Sequence, residues 1–172
     1  MRSLRALITT MVFTVSLIQI GGTTSARDIS GTISSTLTIT EDSQLAGNVT
    51  CTVTGAPCID FGAPGIALKL NGFSITGRAD PVTGCGGGST GGENGIRVNA
   101  MRGAVIQGPG IVQRFRAAGI FVTGGSSRVL VTLVTASTNC TSGILVGNSS
   151  DNEFDANISV RNGNATNGCG GI

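Results

Sequence analysis

Apolar residues return along this chain in a fixed step. GIRV at 95–98, GIFV at 119–122 and GILV at 143–146 begin 119 − 95 = 24 and 143 − 119 = 24 residues apart. Within each, inward and outward positions alternate, which is the period of a strand. GIAL at 65–68 begins 95 − 65 = 30 residues earlier, with the surplus in the insert ADPVTGCGGGSTGGE at 79–93, and GGI closes the series at 170–172. The second half of each repeat aligns too: NGFSITG at 71–77 matches RGAVIQG at 102–108, and SRVLV at 127–131 and NEFD at 152–155 continue it. Three apolar columns result: Ile66, Ile96, Ile120, Ile144; Leu68, Val98, Val122, Val146; and Ile75, Ile106, Leu130, Phe154. Each repeat therefore reads as strand, turn, strand, turn, without a helix. Stacking equivalent strands ~4.8 Å apart makes a parallel β-helix of about five coils. The glycine of each Gly-Ile is expected to serve the bend before the rung. A leucine-rich repeat is excluded, because its L-x-x-L-x-L-x-x-N pattern and helical return are missing.

The run IALKLNGFSITG at 66–77, the recurring Gly-Ile rungs and the Asn-rich SSDNEFDANISVRN at 149–162 resemble the right-handed parallel β-helix repeat proteins of bacteria, within the pectate-lyase-like superfamily. The resemblance implies an all-β solenoid. It specifies function poorly, since that superfamily holds lyases, hydrolases, adhesins and surface proteins. Asn152, Asn157 and Asn162 recur every five residues, where the coil must turn, and Asn tolerates a left-handed backbone there. Five Asn-x-Ser/Thr sequons begin at 48, 139, 148, 157 and 164. Turn chemistry, rather than glycosylation, is the favoured account of them.

Composition agrees with many short strands. Gly numbers 28, charged residues are 12% and aromatic residues 3%, with no Trp, Tyr or His. Arg2 and Arg5 precede an apolar run from 6 to 20 and then GGTTSA, the layout of a cleaved signal peptide over residues 1–26. The apolar run is short of the ~20 residues a membrane span needs. Location is therefore expected to be secreted, periplasmic or at the cell surface, with no membrane span after cleavage. The domain occupies 27–172 and ends where another rung should begin, which suggests a truncated solenoid or an open coil that self-associates. Without Arg2 and Arg5 the 11 basic residues become 11 − 2 = 9, against 9 acidic ones. A neutral chain with no basic run does not attract nucleic acid. In an exported chain the five cysteines point to disulfides. Cys140 and Cys169 occupy near-equivalent places on adjacent coils and are expected to pair. Cys51 and Cys58 bracket a tight loop and are the next pair; Cys85 is left over, with Cys58–Cys85 the alternative.

Catalytic chemistry is hard to find. Calcium wants six to eight oxygen ligands, and the best cluster is Asp151, Glu153 and Asp155. Val129 and Val131 are expected opposite it, so it amounts to a solvated face or a weak surface ion site, and no cofactor is expected. Glycoside hydrolysis uses two facing carboxyls; Asp60, Asp80 and Glu93 are isolated, in turns or in the insert. Lys69 and Arg97, read as equivalent on adjacent coils, form a basic stripe, and Arg114 and Arg116 flank Phe115. These four are candidate contacts for an acidic glycan. Phe121 is the one outward strand aromatic, and the insert at 79–93 is the natural functional loop. The reading is an exported β-helix, non-catalytic over these residues, that binds or displays, with polysaccharide the leading partner. One alternative is a polysaccharide lyase or glycoside hydrolase whose catalytic coils lie beyond residue 172. The other is a self-associating envelope protein.

Overall fold

The computed structural model describes residues 25–79, 85 and 92–163. Among these there is no helix, and none long and apolar enough to cross a membrane. The strands in chain order are β1 (Arg27–Ile33), β2 (Leu37–Ile39), β3 (Ser43–Cys51), β4 (Ile59–Phe61), β5 (Ala67–Lys69), β6 (Ser74–Thr76), β7 (Ile96–Asn99), β8 (Val105–Gln113), β9 (Ile120–Thr123), β10 (Leu130–Ser137), β11 (Ile144–Val146), β12 (Glu153–Asp155) and β13 (Ile158–Val160). They form one eight-stranded and one five-stranded sheet. Every pairing between these strands is parallel. The chain passes back and forth between the sheets, with β5–β6 and β12–β13 as consecutive segments of the larger one, and β6 lies on β3 and β13 on β10 rather than on the strand before them. This all-β, parallel stacking is compatible with a β-solenoid.

The smaller sheet carries the Gly-Ile rungs. Ile96, Ile120 and Ile144 stand in one column, as their spacing predicts. The preceding members are Ile59 and Leu37, not Ile66. The steps are 59 − 37 = 22, 96 − 59 = 37, 120 − 96 = 24 and 144 − 120 = 24, so the insert lengthens one coil alone. Ile66 precedes β5 in the larger sheet, where Leu68 stacks on Ile106. The third expected column divides accordingly. Leu68, Ile106, Val131 and Phe154 make one interior column, and Val49, Ile75, Val112 and Ala136 make another. The cause is a break within the long strands: registers slip between Thr132 and Val134, where Leu133 has φ 58°. A strand and a second strand segment replace the single strand expected, so the larger sheet turns a corner. Leu68, Ile75, Ile96, Ile106, Ile120 and Val131 are fully buried. Each such side chain contributes about 1.5–3 kcal/mol through removal from water.

The Gly-Ile glycines do not have the backbone that a left-handed bend requires. Gly95, Gly119 and Gly143 are absent from the positive-φ residues. They are small because coils approach there: a Cβ on Gly95 would lie 2.5 Å from the Gly119 carbonyl oxygen, and one on Gly119 would lie 2.8 Å from that of Gly143. The ladder explains this closeness, since Ile96 N–H donates to Gly119 O and Ile120 N–H to Gly143 O. Left-handed positions fall instead at Asp151, Ala156 and Arg161, each one residue before an asparagine. The asparagines tie coils together. Asn152 accepts from Val129 N–H (2.9 Å); Asn157 accepts from Val134 N–H (2.9 Å) and donates to Val131 O (2.7 Å). Asn162 accepts from Asn139 N–H (3.0 Å) and from Asn139 Nδ2 (2.9 Å). Asn139 is fully buried and accepts from Phe115 N–H at 3.0 Å. Turn positions thus supply hydrogen-bonding partners to backbone that strand pairing leaves open.

Two disulfides close the structure, Cys51–Cys58 and Cys85–Cys140. The expected Cys140–Cys169 pair is replaced: Cys140 bonds the insert cysteine, with Cα atoms 5.7 Å apart. Cys85 thus has as its neighbour a residue 55 positions further along the sequence. Two disulfides fit an oxidising compartment. Residues 1–24, Cys169 and the expected open rung at 170–172 lie outside the described residues.

Candidate binding surface

The expected basic stripe does not form. Lys69 belongs to the larger sheet, where it pairs with Gln44 and Gln107. Arg97 belongs to the smaller sheet, beside Asp60 and Phe121. The shift of one column across the insert separates them. Arg97 is also occupied: Nε donates to Asp60 Oδ1 at 3.0 Å and an η-nitrogen to Oδ2 at 2.6 Å. This two-pronged pair raises the guanidinium above its ordinary pKa, chiefly by hydrogen bonding, against the opposing effect of burial. Asp60 is therefore not isolated, although the two residues lie 37 positions apart.

Arg114 and Arg116 also have local partners. Arg114 Nε donates to Ala79 O at 2.8 Å, and its backbone is left-handed, φ 61°. Arg116 lies 3.7 Å and Arg78 3.9 Å from Glu93 Oε1, and Glu93 accepts from Gly55 N–H at 2.9 Å. Glu93 is buried, and Arg78 and Glu93 stand at the two feet of the insert. The cluster borders a cavity of about 10 Å³, lined also by Cys51, Val53 and Phe115, which is room for about one water. Its charges hold the base of a loop, and the space is too small for a sugar. Most of the insert, including Asp80, lies outside the described residues.

Glu153 and Asp155 are exposed on β12, on either side of half-buried Phe154, and Asp151 sits at the left-handed turn before them. Their neighbours on β10 are Leu130 and Thr132, one residue away from the expected Val129 and Val131. No carboxylate stands on the adjacent rung, and among the described residues no three of His, Cys, Asp and Glu converge on a common point. Phe121 is outward and half-buried, between Arg97 and Leu145.

What repeats on every rung is the outer face of the larger sheet. On its first segment Asp28, Gln44, Lys69, Gln107, Thr132 and Asp155 form one column. On its second segment Thr32, Thr50, Thr76, Gln113 and Ser137 form another, ending at Val160. Beside it run Ser74, Ile111, Thr135 and Ile158, with Asn48 bonded to Ser74 at their head. Apolar periodicity alone does not reveal these columns. The signal was present in NVT at 48–50, SIT at 74–76 and TAS at 135–137, each a polar pair around one buried residue. No protein-family model matches the chain, and no curated protein or solved structure matches it either.

Proposed function

We propose that this chain is an exported right-handed parallel β-helix of the pectate-lyase-like kind, which binds or displays polysaccharide outside the cell or at its surface, without catalysis by the residues described. The right hand follows from the general preference of parallel crossovers and from the resemblance of its repeats. The observation that carries the reading is the stack of outward polar columns, repeated at ~4.8 Å from rung to rung. A repeating polymer can meet such a surface at many equivalent points. The ionisable groups support a non-catalytic role, because Asp60, Arg97, Glu93 and Arg116 serve one another. The test is a panel of neutral and acidic polysaccharides, scored for binding and for cleavage with and without calcium. Retention without chain scission is expected; release of unsaturated or reducing ends would overturn the non-catalytic reading.

A second reading has its own observation. Leu145, Val146, Ile158 and Val160 are 38–58% exposed on the last rungs described, though Val146 stacks on fully buried Val122. A structural protein that self-associates through these exposed apolar side chains would sediment in a concentration-dependent way.

A further inference from the structure

We infer that the binding surface is the outer face of the second segment of the larger sheet, and that its ligand is an uncharged polysaccharide lying along the stack. This rests on the polysaccharide reading above and narrows it to one face and one chemical class.

The face is defined by alternation. Val49, Ile75 and Ala136 are buried, so Asn48 and Thr50, Ser74 and Thr76, and Thr135 and Ser137 point outward from their strands. Its two columns carry no charged side chain from β3 to β13. The neighbouring faces differ: the first segment bears Lys69 and Asp155, and the smaller sheet bears the Asp60–Arg97 pair. A polyuronate laid on this face would bring a carboxylate with each sugar and meet no cation within it. A neutral glycan brings hydroxyls and C–H groups, the same mixture that threonine presents.

The face is also preorganised. Threonine is β-branched and has few χ1 states, so little side-chain entropy is lost on binding. Ser74 Oγ donates to Asn48 Oδ1 at 3.2 Å and Gln113 Nε2 donates to Thr76 Oγ1 at 3.1 Å, which orients groups across adjacent rungs. Ile111, 38% exposed, gives the face an apolar spot at its centre, and Ile158 and Val160, 58% and 42% exposed, make its last rung apolar. The five rungs from β3 to β13, at ~4.8 Å per step, make a track ~19 Å long. With no aromatic ring on the face, affinity must come from many weak contacts, and it should rise with ligand length.

The test uses the full secreted chain and retention on insoluble cellulose, an insoluble β-1,3-glucan and immobilised polygalacturonate. Two variants of the face, Thr50→Lys with Thr76→Lys, and Thr135→Lys alone, are compared with Thr38→Lys on the smaller sheet. Circular dichroism verifies that each is folded. The expected result is retention on a neutral glucan, at least 10-fold weaker in both face variants and unchanged in Thr38→Lys. Retention on polygalacturonate alone would overturn the neutral ligand and leave the polysaccharide reading standing. Neutral binding that survives both face variants would overturn the surface assignment only. Retention on none of the three would remove both this inference and the reading it rests on.

Discussion

Replacing Gly119 by alanine tests the central claim about the repeat, that its glycine exists for close approach and not for a bend. A Cβ there would lie 2.7 Å from Asn139 Nδ2 and 2.8 Å from the Gly143 carbonyl oxygen. Neither can retreat. Gly143 O holds Ile120 N–H at 3.0 Å, and Asn139 is fully buried and bonded to Phe115, Val112 and Asn162. Overpacking of this kind costs about 1–3 kcal/mol. Displacing Asn139 enough to free the Phe115 N–H adds about 1–3 kcal/mol for a buried unsatisfied donor. Against this, alanine restricts the unfolded chain and returns about 0.4–1 kcal/mol. The net expectation is a loss of about 2–4 kcal/mol. At this chain length that lowers Tm by about 5–15 °C, from about 2–4 °C per kcal/mol. The chain has neither Trp nor Tyr, so far-UV circular dichroism in urea and on heating is the assay. Gly125→Ala is the comparison: φ is +82° there, with nothing within 4 Å of the added Cβ. Only the left-handed penalty of about 1–2 kcal/mol applies, less the same unfolded-state gain. If Gly119→Ala stays within about 0.5 kcal/mol of the parent, or Gly125→Ala costs more, the close-approach argument is wrong.

Asn139→Ala should cost about 3 kcal/mol by urea unfolding, because it strands the Phe115 N–H and breaks the bond to Asn162; Asn152→Ala, at a partly exposed residue that accepts from Val129 N–H, should cost about 1 kcal/mol. Removing Cys85 and Cys140 together should destabilise more than removing Cys51 and Cys58, since separations of 55 and 7 residues correspond to about 4 and about 2.5 kcal/mol of loop-closure entropy. Peptide mapping under non-reducing conditions should recover the 85–140 and 51–58 links; a 140–169 link would contradict the structure. Leu133→Asn should raise stability by about 0.5–1 kcal/mol, because Leu133 is 51% exposed at φ 58°, a backbone that asparagine accepts more readily. A fall in Tm for that variant would show that the leucine makes a contact worth more than its strain.

Part of this protein is legible from its residues alone. The 24-residue step and the inward alternation of GIRV, GIFV and GILV place Ile96, Ile120 and Ile144 in one buried column, because coils of equal length bring equivalent residues level and a one-residue slip would turn their apolar side chains to water. Parallel pairing and the absence of helix follow from the same pattern. Tertiary structure decided the rest. Periodicity carries no phase across an insert, so it points to Ile66 for the column that Ile59 fills, and to Lys69 beside an Arg97 that instead meets Asp60. A sequence places Cys85 in a loop but not beside Cys140, since only the folded chain brings two residues 55 positions apart to a Cα separation of 5.7 Å. It shows a glycine before each isoleucine, but both a bend and a close approach demand glycine. Only the distance from one coil to the next tells the two apart.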